Sequence, residues 1–189
     1  MKYIKINIFL LFILLYGCSK GGSTGGNTQV APSFITTGVT ESWNGTSWSP
    51  VTSMNTARTS LAGAGTQTAA LAFGGVEIPP NSGRVTGATE LWNGTNWISE
   101  NILSSARDQL SGAGTTTSSL AFGGRVDPPF TANTEIWNGT NWTEVNDLNT
   151  ARRNMATAGI YTAALSAGGG PPAVANVESW NGTNWTNEN

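Results

Sequence analysis

The chain has 189 residues and a formal net charge of −2, with 24 glycines, eight tryptophans, one cysteine and no histidine. The lack of histidine removes the commonest general base and metal ligand, and a single cysteine cannot form an internal disulfide. These counts exclude a Ser-His-Asp triad and the usual zinc sites, and the sparse, slightly acidic charge provides no basic stripe for nucleic acid. We therefore assign no catalytic residue, metal site or cofactor, and we expect no nucleic-acid partner.

Residues 1–17 have the pattern of a secretory signal peptide. Lys2 and Lys5 precede an apolar run at residues 8–16, which is too short to span a bilayer, since a spanning helix needs ~20 residues. The run ends in Leu-Tyr-Gly-Cys at positions 15–18, which resembles the lipobox of bacterial lipoproteins. The resemblance implies that a signal peptidase cuts before Cys18 and that Cys18 carries diacylglycerol. The alternative is an ordinary signal peptide followed by an incidental cysteine.

Residues 18–34 follow as a flexible Gly/Ser-rich tether. Its segment 19–29 has a root-mean-square reach on the order of 17–20 Å, which lifts a domain clear of lipid headgroups. Several acyl chains on one residue give stable anchoring. In enterobacterial lipoproteins an Asp directly after the lipidated Cys favours retention in the inner membrane, and this chain has Ser19 there. We therefore expect a lipid-anchored protein of the bacterial cell envelope, in the outer rather than the inner membrane.

Residues 35–189 form one repeat domain. The motif Trp-Asn-Gly-Thr-x-Trp occurs four times, each time two residues after a Glu. From the first Trp to the Arg of the next Ala-Arg pair is 15 residues, and from that Arg to the second Gly of a Gly-Gly pair is 17 residues, three times over. All length variation therefore falls between the Gly pair and the next Trp. The repeated residues are Trp43, Trp48, Arg58, Gly74, Gly75, Trp92, Trp97, Arg107, Gly123, Gly124, Trp137, Trp142, Arg152, Gly168, Gly169, Trp180 and Trp185.

Each repeat predicts four short antiparallel strands. Asn-Gly between apolar residues is typical of a hairpin with a type I′ turn, which needs positive φ at both central positions. A Gly/Ala-rich stretch, such as residues 60–73 around a polar turn, predicts a second hairpin. Helical periodicity is absent throughout. Four such strands per 43–49 residues are typical of a β-propeller blade, so we predict an all-β fold.

The repeat resembles the kelch repeat. Ala-Arg, seventeen residues to Gly-Gly, a loop, then Glu-x-Trp and a second Trp follow the order of that family, in which a double glycine ends the second strand. The resemblance covers residues 39–185 and implies kelch-like blades of four antiparallel strands. Two features depart from the family pattern. The tyrosines common in kelch strands are mostly absent, and the third double glycine lacks the preceding Phe of the other two.

The chain holds four outer hairpins but three inner ones, because it opens on the outer half of a blade. It therefore contains about three and a half blades, whereas closed propellers have about four to eight. We expect an incomplete propeller. Either the sequence is a fragment of a longer propeller, or its open blade ends associate with another chain, including a second copy.

The repeated charged and aromatic residues have two interpretations. A functional interpretation makes them a ring of ligands, with the tryptophans as platforms on which sugars stack. A position that recurs in every repeat usually serves the repeat itself, so we predict that each Arg bonds to carbonyls or to a Glu between blades. We likewise predict that the tryptophans pack between blades.

The variable segments connect the second and third strands of each blade, at residues 76–88, 125–133 and 170–177. Each contains a Pro-Pro pair, which restricts the loop conformation. Recognition tends to reside in loops that vary on a constant scaffold, and neutral variation in an exposed loop is the alternative. The candidate ligand-binding residues are the non-repeated side chains Glu77, Arg84, Arg125, Asp127 and Phe130.

The sequence favours a non-enzymatic, lipid-anchored surface propeller that binds a protein or a glycan through these loops. Two alternatives stay open. The first is a carbohydrate-active hydrolase or lyase on the same fold, with its catalytic residues outside this segment. The second is a purely structural envelope or phage-derived surface array.

The lipobox resemblance makes a direct prediction about Cys18. When the chain is expressed in a bacterial host, it should incorporate radioactive palmitate, and Cys18→Ser should abolish the label because no other cysteine is available. Label that survives the substitution would show that Cys18 is not the lipidated residue.

Overall fold

The computed structural model describes residues 38–77, 84–126, 129–170 and 172–188. These residues form an all-β fold of sixteen strands, as predicted. None of the described residues belongs to a helix of the length and hydropathy that crossing a membrane requires. The signal peptide, Cys18, the tether and Asp127 lie outside the described residues.

The strands form a half-blade, three complete blades and a short ribbon. The half-blade consists of β1 (Thr40–Trp43) and β2 (Trp48–Val51). Blade 1 consists of β4 (Ala62–Thr66), β5 (Ala69–Phe73), β7 (Thr89–Trp92) and β8 (Trp97–Glu100). Blade 2 consists of β9 (Ser111–Gly114), β10 (Ser119–Phe122), β11 (Thr134–Trp137) and β12 (Trp142–Val145). Blade 3 consists of β13 (Ala156–Ile160), β14 (Ala163–Ala167), β15 (Val177–Trp180) and β16 (Trp185–Glu188). The ribbon pairs β3 (Arg58–Thr59) with β6 (Val76–Glu77).

Within each complete blade the four strands pair antiparallel in chain order. The sheets therefore have the blade topology that the repeat predicts, and the half-blade supplies only the two outer strands. The innermost strands of successive blades, β4, β9 and β13, lie beside one another. Three and a half blades are thus confirmed for the described part of the chain.

The Asn-Gly motif makes each outer hairpin. In blade 1, Asn93 Oδ1 accepts the backbone N–H groups of Thr95 and Asn96, both at 2.9 Å. Gly94 has φ of 93° but Asn93 does not have positive φ, so the predicted type I′ turn is wrong and a four-residue loop connects the paired residues Trp92 and Trp97. Trp92 and Trp97 consequently face each other across the strand pair. The same hydrogen bonds recur in the other three hairpins.

The double glycine lies where two blades touch. A Cβ on Gly74 would stand 2.6 Å from the carbonyl oxygen of Arg107 in blade 2, and Gly75 donates its N–H to that same oxygen at 2.9 Å. Both glycines also have positive φ, at 69° and 106°. Only glycine fits this close approach. At the corresponding Gly168 of blade 3, the nearest atom to a Cβ would be 3.6 Å away.

Aromatic side chains fill the interfaces between blades. Phe73 of blade 1 packs edge-on against Trp142 of blade 2, with ring centroids 4.9 Å apart, and Phe122 packs on Trp185 at 4.7 Å. The indole Nε1 of Trp142 donates to the Thr89 hydroxyl of the preceding blade at 3.0 Å. Each buried Trp thus has an apolar contact and a hydrogen-bond acceptor, and the predicted packing of tryptophans between blades is observed.

A buried Arg–Glu ion pair lies inside each complete blade. The guanidinium and carboxylate are 3.0 Å apart in Arg58–Glu90, 3.1 Å in Arg107–Glu135 and 3.0 Å in Arg152–Glu178. None of these side chains is more than 2% exposed. We predicted that each Arg bonds to carbonyls or to a Glu between blades, whereas each Arg lies in the segment that enters a blade and pairs with the Glu on the third strand of that same blade. Desolvation by burial lowers the pKa of all three arginines, and the neighbouring carboxylates act in the opposite direction.

The ion pair also closes the base of the variable loop. Arg58 donates to the carbonyl oxygens of Gly74 and Ala88, between which the loop leaves and returns. Glu90 accepts the backbone N–H of Asn55 at 2.7 Å, and Asn55 belongs to the connection from the half-blade. One pair therefore ties together strands 2 and 3 and the segment that enters the blade.

This geometry predicts unequal effects for the repeated glutamates. Glu135→Ala leaves Arg107 buried without its counter-charge and should lower the free energy of unfolding by about 3–5 kcal/mol. Glu41→Ala is the matched control, since Glu41 holds the same position in the half-blade but is exposed, and it should be nearly neutral. Urea denaturation followed by Trp fluorescence measures both. Equal losses in the two variants would contradict a special role for the buried pair.

Candidate ligand-binding face

The variable loops all leave the inner strands at one end, which we call the loop face. In each blade the second strand runs back toward the start of the first, so the loop after it lies beside the connection that enters the blade. The base of each loop is closed by the same backbone hydrogen bond, Gly74 to Ala88, Gly123 to Asn133 and Gly168 to Asn176, at 2.8–3.0 Å. Loops of different length therefore stand on equivalent bases.

Two predicted residues lie in the loop of blade 1. The N–H of Glu77 donates to the carbonyl oxygen of Arg84 at 2.9 Å, so these two residues lie side by side. Glu77 is half-buried in the ribbon opposite Arg58, while Arg84 is exposed. The structure thus brings Glu77 and Arg84 together, but in a different blade from the other described candidates.

Arg125, in the loop of blade 2, forms a two-point ion pair with Asp108. Its Nε and Nη2 donate to the two carboxylate oxygens at 3.0 and 2.9 Å, and the two backbones also exchange hydrogen bonds at 2.8 and 3.0 Å. The Asp108 side chain is only 1% exposed and that of Arg125 is 34% exposed. This geometry holds the Arg125 guanidinium in place and neutralises its charge, so its first role is to order the loop.

Phe130 contacts a residue of the next blade. The Arg153 guanidinium carbon stands 4.9 Å from the centroid of the Phe130 ring, which is a cation–π distance. Arg153 also donates to the side-chain amide oxygen of Gln109. Phe130, Gln109 and Arg153 therefore form a cluster that spans blades 2 and 3, which we call the Arg153 cluster.

The backbone next to this cluster is strained. Ser60, Gln109 and Asn154 occupy the same position in successive blades, and all three have positive φ, between 55° and 57°. Gln109 donates its N–H to Ser60 O at 2.8 Å, and Asn154 donates to Gln109 O at 3.0 Å. Non-glycine residues in this region cost on the order of 1–3 kcal/mol each, and such strain concentrates at functional sites.

A cleft opens beside Arg153. It has a volume of about 430 Å³ and is lined by Arg153, Asn154, Gly169, Gly170 and Ala173. A smaller cleft of about 130 Å³ adjoins it through Gly170 and borders the loop residues Pro172 and Val174. The larger cleft is shallow and wide open to solvent.

The charge at this cleft is positive. Arg152 is neutralised by Glu178 and Arg125 by Asp108, whereas the described partners of Arg153 are an amide oxygen and an aromatic ring. No carboxylate is among these described partners to offset the positive charge. A guanidinium beside an aromatic ring can bind a ligand that combines a carboxylate with an apolar or sugar framework.

Three residues of this face were not among the sequence-based candidates: Asp108, Gln109 and Arg153. For Asp108 and Arg153, the sequence contains a signal that could have identified them. The residue after each repeated Arg is Thr59, Asp108 or Arg153 in turn, so the repeats differ directly beside an invariant position. The antiparallel pairing then brings this position next to the variable loop.

Within the four described ranges, no three His, Cys, Asp or Glu side chains are grouped so that they could hold a metal ion. A scan against protein-family models finds no matching family, and a search of curated proteins finds no match. The kelch resemblance therefore rests on the residues and spacing of the repeat itself.

Proposed function

We propose that this chain is a lipid-anchored, kelch-like surface protein of the bacterial envelope that binds a protein or a glycan without chemical turnover. The ligand contacts the loop face, at the Arg153 cluster and the adjoining cleft. The observation that supports this best is the position of the cluster. The cluster combines a charged, an aromatic and an amide side chain at positions whose residue type varies between the repeats. The strands that hold it carry residues that recur in every repeat.

The expected ligand carries an acidic group. The Arg153 guanidinium offers its positive charge to a carboxylate, and Phe130 provides an apolar surface beside it. Arg and aromatic residues dominate the energetics of binding sites. A glycan with acidic sugars and a protein segment with an exposed Asp or Glu both meet this requirement.

A binding screen tests the proposal. The chain is screened against glycans and envelope surface proteins, and each ligand found is measured again with Arg153→Ala and Phe130→Ala. We expect affinity to fall at least tenfold in both variants, since each removes one side of the cluster. Arg84→Ala is the charge-matched control, because Arg84 is an exposed arginine in the loop of blade 1, and it should change affinity less than threefold.

Two further readouts distinguish this function from its rivals. Esterifying the ligand carboxylates should abolish binding, and the ligand should be recovered intact after incubation. Cleavage of the ligand would show that the chain is a hydrolase or lyase and not a binding protein. Unchanged affinity in both cluster variants would show that the ligand binds elsewhere.

A further inference from the structure

The two ends of the blade array expose large apolar side chains that are buried everywhere else. On blade 3, Leu165 is 42% exposed, whereas Leu71 and Leu120 at the same position of blades 1 and 2 are fully buried. On the half-blade, Trp48 is 47% exposed, whereas Trp97, Trp142 and Trp185 are 5–9% exposed. Ile160 and Tyr161 extend the exposed surface of blade 3, at 54% and 38%.

These two surfaces are the two halves of one recurring interface. Leu71 and Phe73 of blade 1 share a core cluster with Trp137 and Trp142 of blade 2, and the next interface repeats the arrangement with Leu120, Phe122, Trp180 and Trp185. Each blade therefore presents its Leu surface to the blade after it and its Trp pair to the blade before it. We call the exposed surfaces the Leu165 face and the Trp48 face.

The Trp48 face already has the shape it needs for docking. The rings of Trp43 and Trp48 are 5.5 Å apart and tilted by 45°. The three buried Trp pairs have separations of 5.3–5.5 Å and tilts of 45–47°. The exposed pair thus matches the buried pairs without a partner, which lowers the cost of ordering the surface on association.

The Leu165 face lacks one aromatic ring and one hydrogen-bond acceptor that the corresponding buried faces have. Ala167 stands where blades 1 and 2 have Phe73 and Phe122, and Val177 stands where they have a threonine that accepts the indole hydrogen bond. A phenylalanine is not essential, since Trp97 is 91% buried in a cluster with Val51, Met54 and Leu61. The loss of one ring and one acceptor makes the contact weaker than an internal interface.

We propose that a second copy of this chain covers the Leu165 face with its Trp48 face, so that copies associate head to tail and reversibly. Such a contact repeats the outer-strand part of the interface that the molecule already forms between its own blades. A contact between two different surfaces is heterologous. Two copies joined by one such contact consequently keep one free face of each kind for further copies.

The test uses two variants of the full-length chain, purified in mild detergent and studied by sedimentation velocity. Wild type should form species larger than a monomer as concentration rises. Trp48→Asp blocks one face and Leu165→Asp blocks the other, and each should weaken self-association at least tenfold. Ile102→Asp is the control, since Ile102 is 65% exposed and lies outside both faces, and it should associate like wild type.

Mixing the two blocked variants is decisive. Trp48→Asp retains an intact Leu165 face and Leu165→Asp retains an intact Trp48 face, so an equimolar mixture should form one-to-one dimers that neither variant forms alone. Recovery of dimers also shows that both variants are folded. Wild type that stays monomeric would overturn the proposal. So would a result in which only one variant loses association, because this indicates like faces in contact, and so would a mixture that stays monomeric.

Discussion

The buried Arg–Glu pair at the base of each variable loop is the interaction on which the rest of the structure depends. Two desolvated charges are favourable only when further hydrogen bonds satisfy them. Here each Arg donates to one carbonyl oxygen where the loop returns and to another in or just after the second strand. Glu90 extends the network to the incoming connection through Asn55. Because the loop is closed at its base, the residues beyond the base do not hold the sheet together. Loop length and composition are therefore free to change while the blade stays the same.

Contacts between blades impose a direction on the array. The double glycine allows the backbone of one blade to reach a carbonyl of the next, and Trp142 reaches the hydroxyl of Thr89 in the blade before it. The forward and backward surfaces of a blade are therefore different and complementary. Such packing, in which each unit contacts only its neighbours, makes the stability of the array a sum of unit and interface contributions. The surfaces at the two ends have no neighbour in the described part of the chain, and the one on blade 3 also has Ala167 and Val177 where the buried interfaces have a phenylalanine and a threonine.

The candidate site arises where an invariant residue is followed by a variable one. Arg107 and Arg152 form buried ion pairs. The side chains of the next residues, Asp108 and Arg153, contact residues of the variable loop of blade 2. Asp108 is used to order the loop that carries Arg125. Arg153 lies beside Phe130 and a cleft, with no carboxylate among its described partners. The same backbone position thus performs a structural task in blade 2 and offers a binding group in blade 3.

The sequence by itself determined the hairpins and the number of blades, because Asn-Gly turns and glycine doublets act locally and recur at constant spacing. It also located the variable loops, and it identified Arg125 and Phe130 as residues of interest. It did not predict the ribbon of β3 and β6, which raises the number of strands to sixteen. Only the tertiary structure decided what these residues contact. Arg125 is paired with Asp108, 17 residues away in the chain, and Phe130 meets Arg153 of another blade. The first partner depends on which residues the antiparallel pairing within blade 2 places side by side. The second depends on how two different blades pack, and the spacing within one repeat does not specify that.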